Sequence, residues 1–267
     1  MPRNALSASM QSPRIYLSRP LQPGTTVELD ARAARHVVQV LRLRAGDAVT
    51  LFDGEGGQWQ ARLTRVARAG VLAEIGDFQD IEVESPLSIV LAQGISRGER
   101  MDYTIRKAVE LGVTAIVPLV TERTQVKLTG DRLDRRMNHW LGIIIAACEQ
   151  CGRNRLPALL PMRSLGAWLK ETRPGGHRLM LDPRGDTDVA GLGPPVDRFC
   201  LLIGPEGGFS ESERQAAGRA GYAGLRLGPR VLRTETAALA AIAALQATCG
   251  DFRQPDSSNR PPGSPGP

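Results

Sequence analysis

The chain has 267 residues, of which 42% are hydrophobic and 23% charged, and it carries a formal net charge of +6. This describes a globular protein with a real core and excludes a disordered or low-complexity chain as a whole. The longest apolar runs, "LGIIIAACEQC" and "AALAAIAALQATC", fall short of the ~20 residues a membrane helix needs, and the first dozen residues hold one Arg and no apolar core of a secretory signal. A cytoplasmic protein with no membrane association is expected. The basic balance permits a polyanionic partner without requiring one.

Residues 1–12 are predicted to be a flexible N-terminus. Over residues 13–80, short β-prone stretches such as "TTVELD", "DAVTLFDGEGGQWQARLTRV" and "VLAEIGDF" are separated by turn signals. "FDGEGGQW" reads as a hairpin, with Asp-Gly and Gly-Gly between two apolar arms. One helix, "ARAARHVVQVLR", has its apolar residues at helical spacing. The segment is a small β-barrel-like domain, and residues 81–86 form a linker before Pro86 starts a new pattern.

From residue 87 to 250, strands and helices alternate. "LSIVLAQGI" is a buried strand, "GERMDYTIRKAVELG" a helix ending at Gly112, and "TAIVPLVTE" a strand. "DRLDRRMNHWLGIIIAACEQCGR" is a long helix for which Asp131 serves as cap, and "SLGAWLKE" is a shorter one. Then come "HRLMLDP", "RFCLLIGPEGG", the helix "SESERQAAGRAG" with Ser210 and Glu213 as a capping box, the strand "GLRLGP" and a closing helix from "TETAALAAIAALQATC". This alternation predicts an α/β domain with a largely parallel sheet covered on both faces. Residues 251–267, rich in Pro, Gly and Ser, are predicted to be a disordered tail. Cys148 and Cys151 in "CEQC" lie within a helical pattern and have no second pair, so they read as small residues on a buried face. No metal site is expected.

Ligands in open α/β sheets bind beyond the carboxyl ends of the strands. Three strands here end in unusual turns: "MLDPRG", "LIGPEGG" and "RLGPRVLRTETA". "GPEGG" has no Lys for a Walker loop, its glycines have the wrong spacing for a dinucleotide fingerprint, and Glu206 would repel a pyrophosphate. A neutral or cationic ligand held by backbone groups fits better.

"LLIGPEGGFSESE" together with "LGPRVLRTETAALAAI" closely resembles the RsmE family of ribosomal-RNA uridine N3-methyltransferases, in the SPOUT superfamily. The likeness extends to "RIY", "RHVVQVLRLRAGD" and "LFDGEGG" in the first domain, and to "SRGERMDYTIRKAVELGV", "ERTQVKL" and "AACEQCGRNRLP" in the second. It implies a PUA-like RNA-binding barrel followed by a SPOUT domain with a C-terminal trefoil knot. It also implies S-adenosyl-L-methionine as cofactor, a uridine of 16S ribosomal RNA or of the small subunit as substrate, and a homodimer. Leu181, Ile203, Gly204, Leu227, Gly228, Val231, Leu232 and Arg233 match the cofactor-loop positions.

For the chemistry, Arg233 is the candidate for orienting the uracil or stabilising its charge, while Glu206 or Glu235 accepts the proton or holds that arginine. Arg14, Arg35, Arg42 and Arg44 in the first domain are candidates to track the RNA backbone. In the second, the candidates are Arg97, Arg100, Arg106, Lys107, Arg123, Lys127 and Arg153. Aromatic residues make up only 4% of the chain, so phosphate contact and shape should outweigh base stacking. The alternatives are a SPOUT enzyme acting on a ribose 2′-hydroxyl or on transfer RNA, and a non-catalytic RNA-binding assembly factor.

Overall fold

The computed structural model describes residues 12–126, 129–171, 175–193 and 197–253. Lys127, the N-terminal residues 1–11 and the tail from residue 254 onward lie outside this set. Packing divides the chain into two units, the first made of residues 1–84 with 142–156 and the second of residues 85–141 with 157–267.

In the first unit, β1 (Arg14–Tyr16), β2 (Thr26–Glu28), β3 (Ala48–Phe52), β4 (Gln58–Ala67) and β5 (Gly70–Gln79) form one sheet in the order β1-β3-β4-β5-β2. β3 and β4 are the antiparallel arms of the expected hairpin, with Leu51 opposite Trp59. Residues 53–57 connect them, and Gly54, Gly56 and Gly57 all take positive φ, which a chain of L-residues with side chains would resist. Strict alternation along β4 and β5 sends Trp59, Ala61 and Leu63, with Val71, Ala73 and Ile75, into one core. The expected single helix is two pieces: α1 (Ala31–Arg35), capped by the Asp30 side chain on Ala33 N, and a π-helical turn at His36–Val40. Helical spacing cannot separate the two, because a wider turn shifts the apolar stripe by only one residue.

The second unit is a seven-stranded sheet. Its strands are β6 (Ser88–Gly94), β7 (Ala115–Val120), β8 (Ala158–Leu159), β9 (Arg163–Ser164), β10 (His177–Leu181), β11 (Arg198–Ile203) and β12 (Ala223–Leu225). The order is β12-β10-β11-β6-β7-β8, with β9 beside β7, and every pairing is parallel. β6 and β11 are buried almost end to end, as strands covered on both faces must be. Its helices are α2 (Glu99–Glu110), α4 (Leu165–Lys170), α5 (Glu211–Arg219) and α6 (Thr234–Cys249), while α3 (Asp131–Cys151) contributes residues to both units. Ser210 and Glu213 form the expected capping box at α5. Asp131 is the first residue of α3 and not its cap, since Gly130 already accepts a helical hydrogen bond from Leu133 N. The two short strands β8 and β9 are too brief to leave a period in the sequence.

Cys148 is buried in the first unit, and burial pushes its thiol up to about 12. Among the described residues no helix is long and apolar enough to cross a membrane.

Candidate active site

The order in which strands are laid down reverses between β11 and β6, and a cleft of about 510 Å³ opens beyond the carboxyl ends of β10, β11 and β12. Residues following each of these strands line it, joined by Arg100 of α2 and by the first turn of α6. The turn after β11 depends on glycine. A Cβ on Gly94 would sit 2.6 Å from the Pro205 nitrogen, so only glycine at the end of β6 lets the turn close down on it. Gly208, at φ +64, donates back to the Pro205 carbonyl at 2.8 Å. Thr234 bolts α6 to this turn: its buried hydroxyl donates to the Gly204 carbonyl at 2.6 Å and accepts from Gln93 Nε2 at 2.9 Å.

Three carboxylates line the cleft and differ in how they are held. Asp182, 8% exposed, accepts from the Arg184 backbone N–H at 2.9 Å and from Arg214 Nη1 at 3.2 Å. Glu206 accepts through Oε1 from the Arg97 backbone N–H at 2.9 Å and from Arg100 Nη1 at 2.8 Å. Burial alone would raise the pKa of Glu206, but these hydrogen bonds and the charge of Arg100 outweigh it and hold the carboxyl below its usual range. Among the described residues Glu235 has only a loose ion pair, Arg100 Nε at 3.9 Å from Oε1, while its Oε2 is buried with no hydrogen-bond partner. Arg214 Nε likewise has no hydrogen-bond partner among the described residues, only a loose ion pair with Glu211 Oε2 at 3.9 Å. Arg233 occupies the N-cap position of α6 without capping it, and its exposed guanidinium has no hydrogen-bond or ion-pair partner among the described residues.

The cleft brings together all eight residues expected from the cofactor loops, namely Leu181, Ile203, Gly204, Leu227, Gly228, Val231, Leu232 and Arg233, and also Glu206 and Glu235. It adds Asp182, Phe209, Arg214, Arg230 and Thr234, which the sequence did not single out although Asp182 sits in one of its three unusual turns.

The basic residues divide into two groups. Arg35 and Arg42 in the first unit, and Arg97, Arg106 and Arg123 in the second, are exposed. Arg97 and Arg123 border the 205–208 turn, the first through its backbone and the second by donating to the Gly207 carbonyl at 2.7 Å. Arg153 must be removed from the RNA-facing set: it is 4% exposed and its guanidinium clasps Glu84 at 2.5 Å. Arg14 is likewise committed within its own unit, donating to Gln58, to Asn154 Oδ1 at 2.5 Å and to the Arg153 carbonyl at 3.1 Å. Lys107 is half-buried and paired with Glu110 at 2.7 Å.

An RNA methyltransferase domain model matches residues 83–246, and an RNA methyltransferase PUA domain model matches residues 29–76. Over 240 residues the chain is 34% identical to the ribosomal RNA small subunit methyltransferase E of Buchnera aphidicola, covering 90% of this chain and 98% of that protein. It is 26% identical over 234 residues to the Bacillus subtilis protein of the same name, covering 84% and 91% respectively. The crystal structure of a ribosomal RNA small subunit methyltransferase E from Neisseria gonorrhoeae, bound to S-adenosyl methionine, superposes with a TM-score of 0.87 at 43% identity. That likeness covers 91% of this chain and 100% of the other. With a family model over residues 83–246 and relatives above 30% identity over nearly the whole length, this chain belongs to the ribosomal RNA small subunit methyltransferase E family.

Proposed function

We propose that the protein transfers a methyl group from S-adenosylmethionine to N3 of one uridine in small-subunit (16S) ribosomal RNA. The observation that carries this reading is the cleft itself. It is closed by glycine turns and lined by apolar side chains, and it holds both the Arg233 guanidinium, unpartnered among the described residues, and Glu235 two residues on. The residues present fit the cofactor. The volume lies in the ordinary range for small-molecule sites. Leu181, Ile203, Leu227 and Leu232, with the backbone of the 204–208 and 227–228 turns, offer an apolar slot with hydrogen-bonding edges for a purine. Arg214 Nε, which makes no hydrogen bond among the described residues, offers a donor for a carboxylate.

When bound, S-adenosylmethionine supplies an electrophilic methyl. The protein's share is alignment and charge. Arg233 holds a uracil carbonyl and stabilises the negative charge that develops when the imide proton leaves. Because N3 is hidden by base pairing in a duplex, the target uridine must be unpaired or turned out of its stack. The wider reading includes a cytoplasmic enzyme, a C-terminal passage threaded as a knot, and a homodimer packed through α6. The last is supported by the stripe Thr236, Leu239, Ala240, Ala243 and Ala247, exposed or half-buried along one face of α6.

RNA binding is expected to be mainly electrostatic, with affinity falling linearly against salt on logarithmic axes by about 0.7 per single-strand phosphate contact. Arg35→Gln and Arg106→Gln, one exposed residue in each unit, should each lower the slope by about one contact. Transfer of labelled methyl to small-subunit ribosomal RNA and not to transfer RNA tests the reading. Preferential labelling of transfer RNA, together with a salt slope indifferent to both substitutions, would contradict it.

A further inference from the structure

We propose that Glu235, through its Oε2 atom, takes the N3 proton of the target uracil, with Arg100 and Glu206 as positioning residues. This rests on the uridine methyltransferase reading above. Of the three carboxylates in the cleft, Asp182 and Glu206 are held by donors from the protein itself. Only Glu235 keeps a buried oxygen with no donor among the described residues. A buried carboxylate oxygen left bare is unfavourable, and native structures seldom leave one without a partner arriving from elsewhere. Uracil brings such a donor: its pairing edge carries one N–H, at N3, between two carbonyl oxygens. The cleft offers the complement, with Glu235 as acceptor and the guanidinium groups of Arg233 and Arg100 as donors. Cytosine has no proton at N3 and a donor where uracil has O4, so the same array disfavours it.

Glu206 is the weaker candidate for the proton. Its Oε1 is already filled by the Arg97 N–H and Arg100. The same contacts hold its pKa below the usual carboxylate range and make it a poorer base. Arg100 spans the two carboxylates, at 2.8 Å from Glu206 and 3.9 Å from Glu235, so the braced Glu206 fixes the arginine that fixes Glu235.

The departing proton and the incoming methyl share one in-plane direction at N3, so the proton leaves first. The N3–H bond breaks, its electron pair stays on the base as an imide anion spread over both carbonyls, and Glu235 becomes a carboxylic acid. N3 then bonds to the methyl carbon as the carbon–sulfur bond breaks, and that bond's electron pair returns to sulfur and cancels its positive charge. A carboxylate is a weak base for an imide, which is why the anion needs the Arg233 guanidinium beside it.

The charged groups facing Glu235 across the cleft are Arg100 from α2, Glu206 from the turn after β11, and Arg230 and Arg233 from the loop before α6. Asp182 and Arg214 line the same cleft paired to each other. The test is single-turnover methylation by the full-length protein on small-subunit RNA carrying either uridine or 5-fluorouridine, whose N3 proton is more acidic. Glu235→Gln is expected to lose about 10²–10⁴-fold in rate on uridine RNA. It should recover at least about tenfold of that loss on 5-fluorouridine RNA, and gain about tenfold per pH unit where the native enzyme is flat. Its cofactor affinity by calorimetry should not change.

Glu206→Gln should lose rate without recovery on 5-fluorouridine, and Glu235→Asp should keep the native pH profile at a reduced rate. A near-native rate for Glu235→Gln, no recovery on the acidic base, or a fall in cofactor affinity matching the fall in rate would overturn the assignment. The last outcome would give Oε2 to the ammonium group of the cofactor. Should Glu235→Gln fail to fold, a changed pH profile in Glu235→Asp would overturn it instead. If the native enzyme places no methyl on uridine N3, it is the underlying function that fails, and the two failures are told apart by the native control.

Discussion

Arg233→Ala is expected to slow the chemical step by about 10²–10³-fold while leaving the melting transition almost where it was. The side chain is exposed, lines the cleft and has no partner among the described residues, so removing it breaks no contact that holds the fold. Substitutions at such positions usually change stability by no more than about 0.5 kcal/mol. The backbone of Arg233 at φ −65, ψ 156 is an ordinary extended cap conformation that alanine adopts equally well. Arg233→Lys keeps the charge but loses the planar fork of donors, and should recover only part of the rate. Single-turnover methylation with saturating cofactor and RNA, beside a thermal melt, separates the possibilities. A melt that collapses in step with activity would mean that the arginine pins the C-terminal passage instead of serving the substrate.

Gly228→Val is expected to lower cofactor affinity on the order of 10²-fold, from two causes of about 1–3 kcal/mol each. Gly228 lies at φ +74, where a β-branched residue is badly strained, and it forms part of the cleft lining. Its missing Cβ would meet no protein atom nearer than 4.0 Å, so the room such a side chain takes comes from the cleft. Gly228→Asn separates the causes, because asparagine tolerates left-handed backbone while still adding bulk. A folded Gly228→Val protein with unchanged S-adenosylmethionine affinity by calorimetry would move the cofactor away from this turn.

What could be read from the sequence was local. Ser210 and Glu213 announce the start of α5 because a capping box needs only three residues of spacing, and the Gly-Pro turns announce the cleft because strand ends and glycines are adjacent in the chain. What could not be read depends on residues far apart. Arg153 looks like a surface charge until Glu84, 69 positions away, is found to clasp it. Arg14 looks free until Asn154, 140 positions on, is seen to accept from it. The bare oxygen of Glu235 is invisible for the same reason, since a missing partner is known only once every neighbour is in place. The π-helical turn at His36–Val40 escaped because one extra residue in a turn barely disturbs an apolar stripe.

The identity of the methylated atom decides the function. Small-subunit ribosomal RNA, as naked RNA and as assembled subunits, from cells lacking this protein would be incubated with the purified enzyme and labelled S-adenosylmethionine. The RNA would then be digested to nucleosides and the product resolved by mass spectrometry against standards. The expected result is a single N3-methyluridine, formed about 10²–10³-fold more slowly with Arg233→Ala. Label found on a ribose 2′-hydroxyl or on another base, or cofactor binding with no transfer to either form of the RNA, would contradict it.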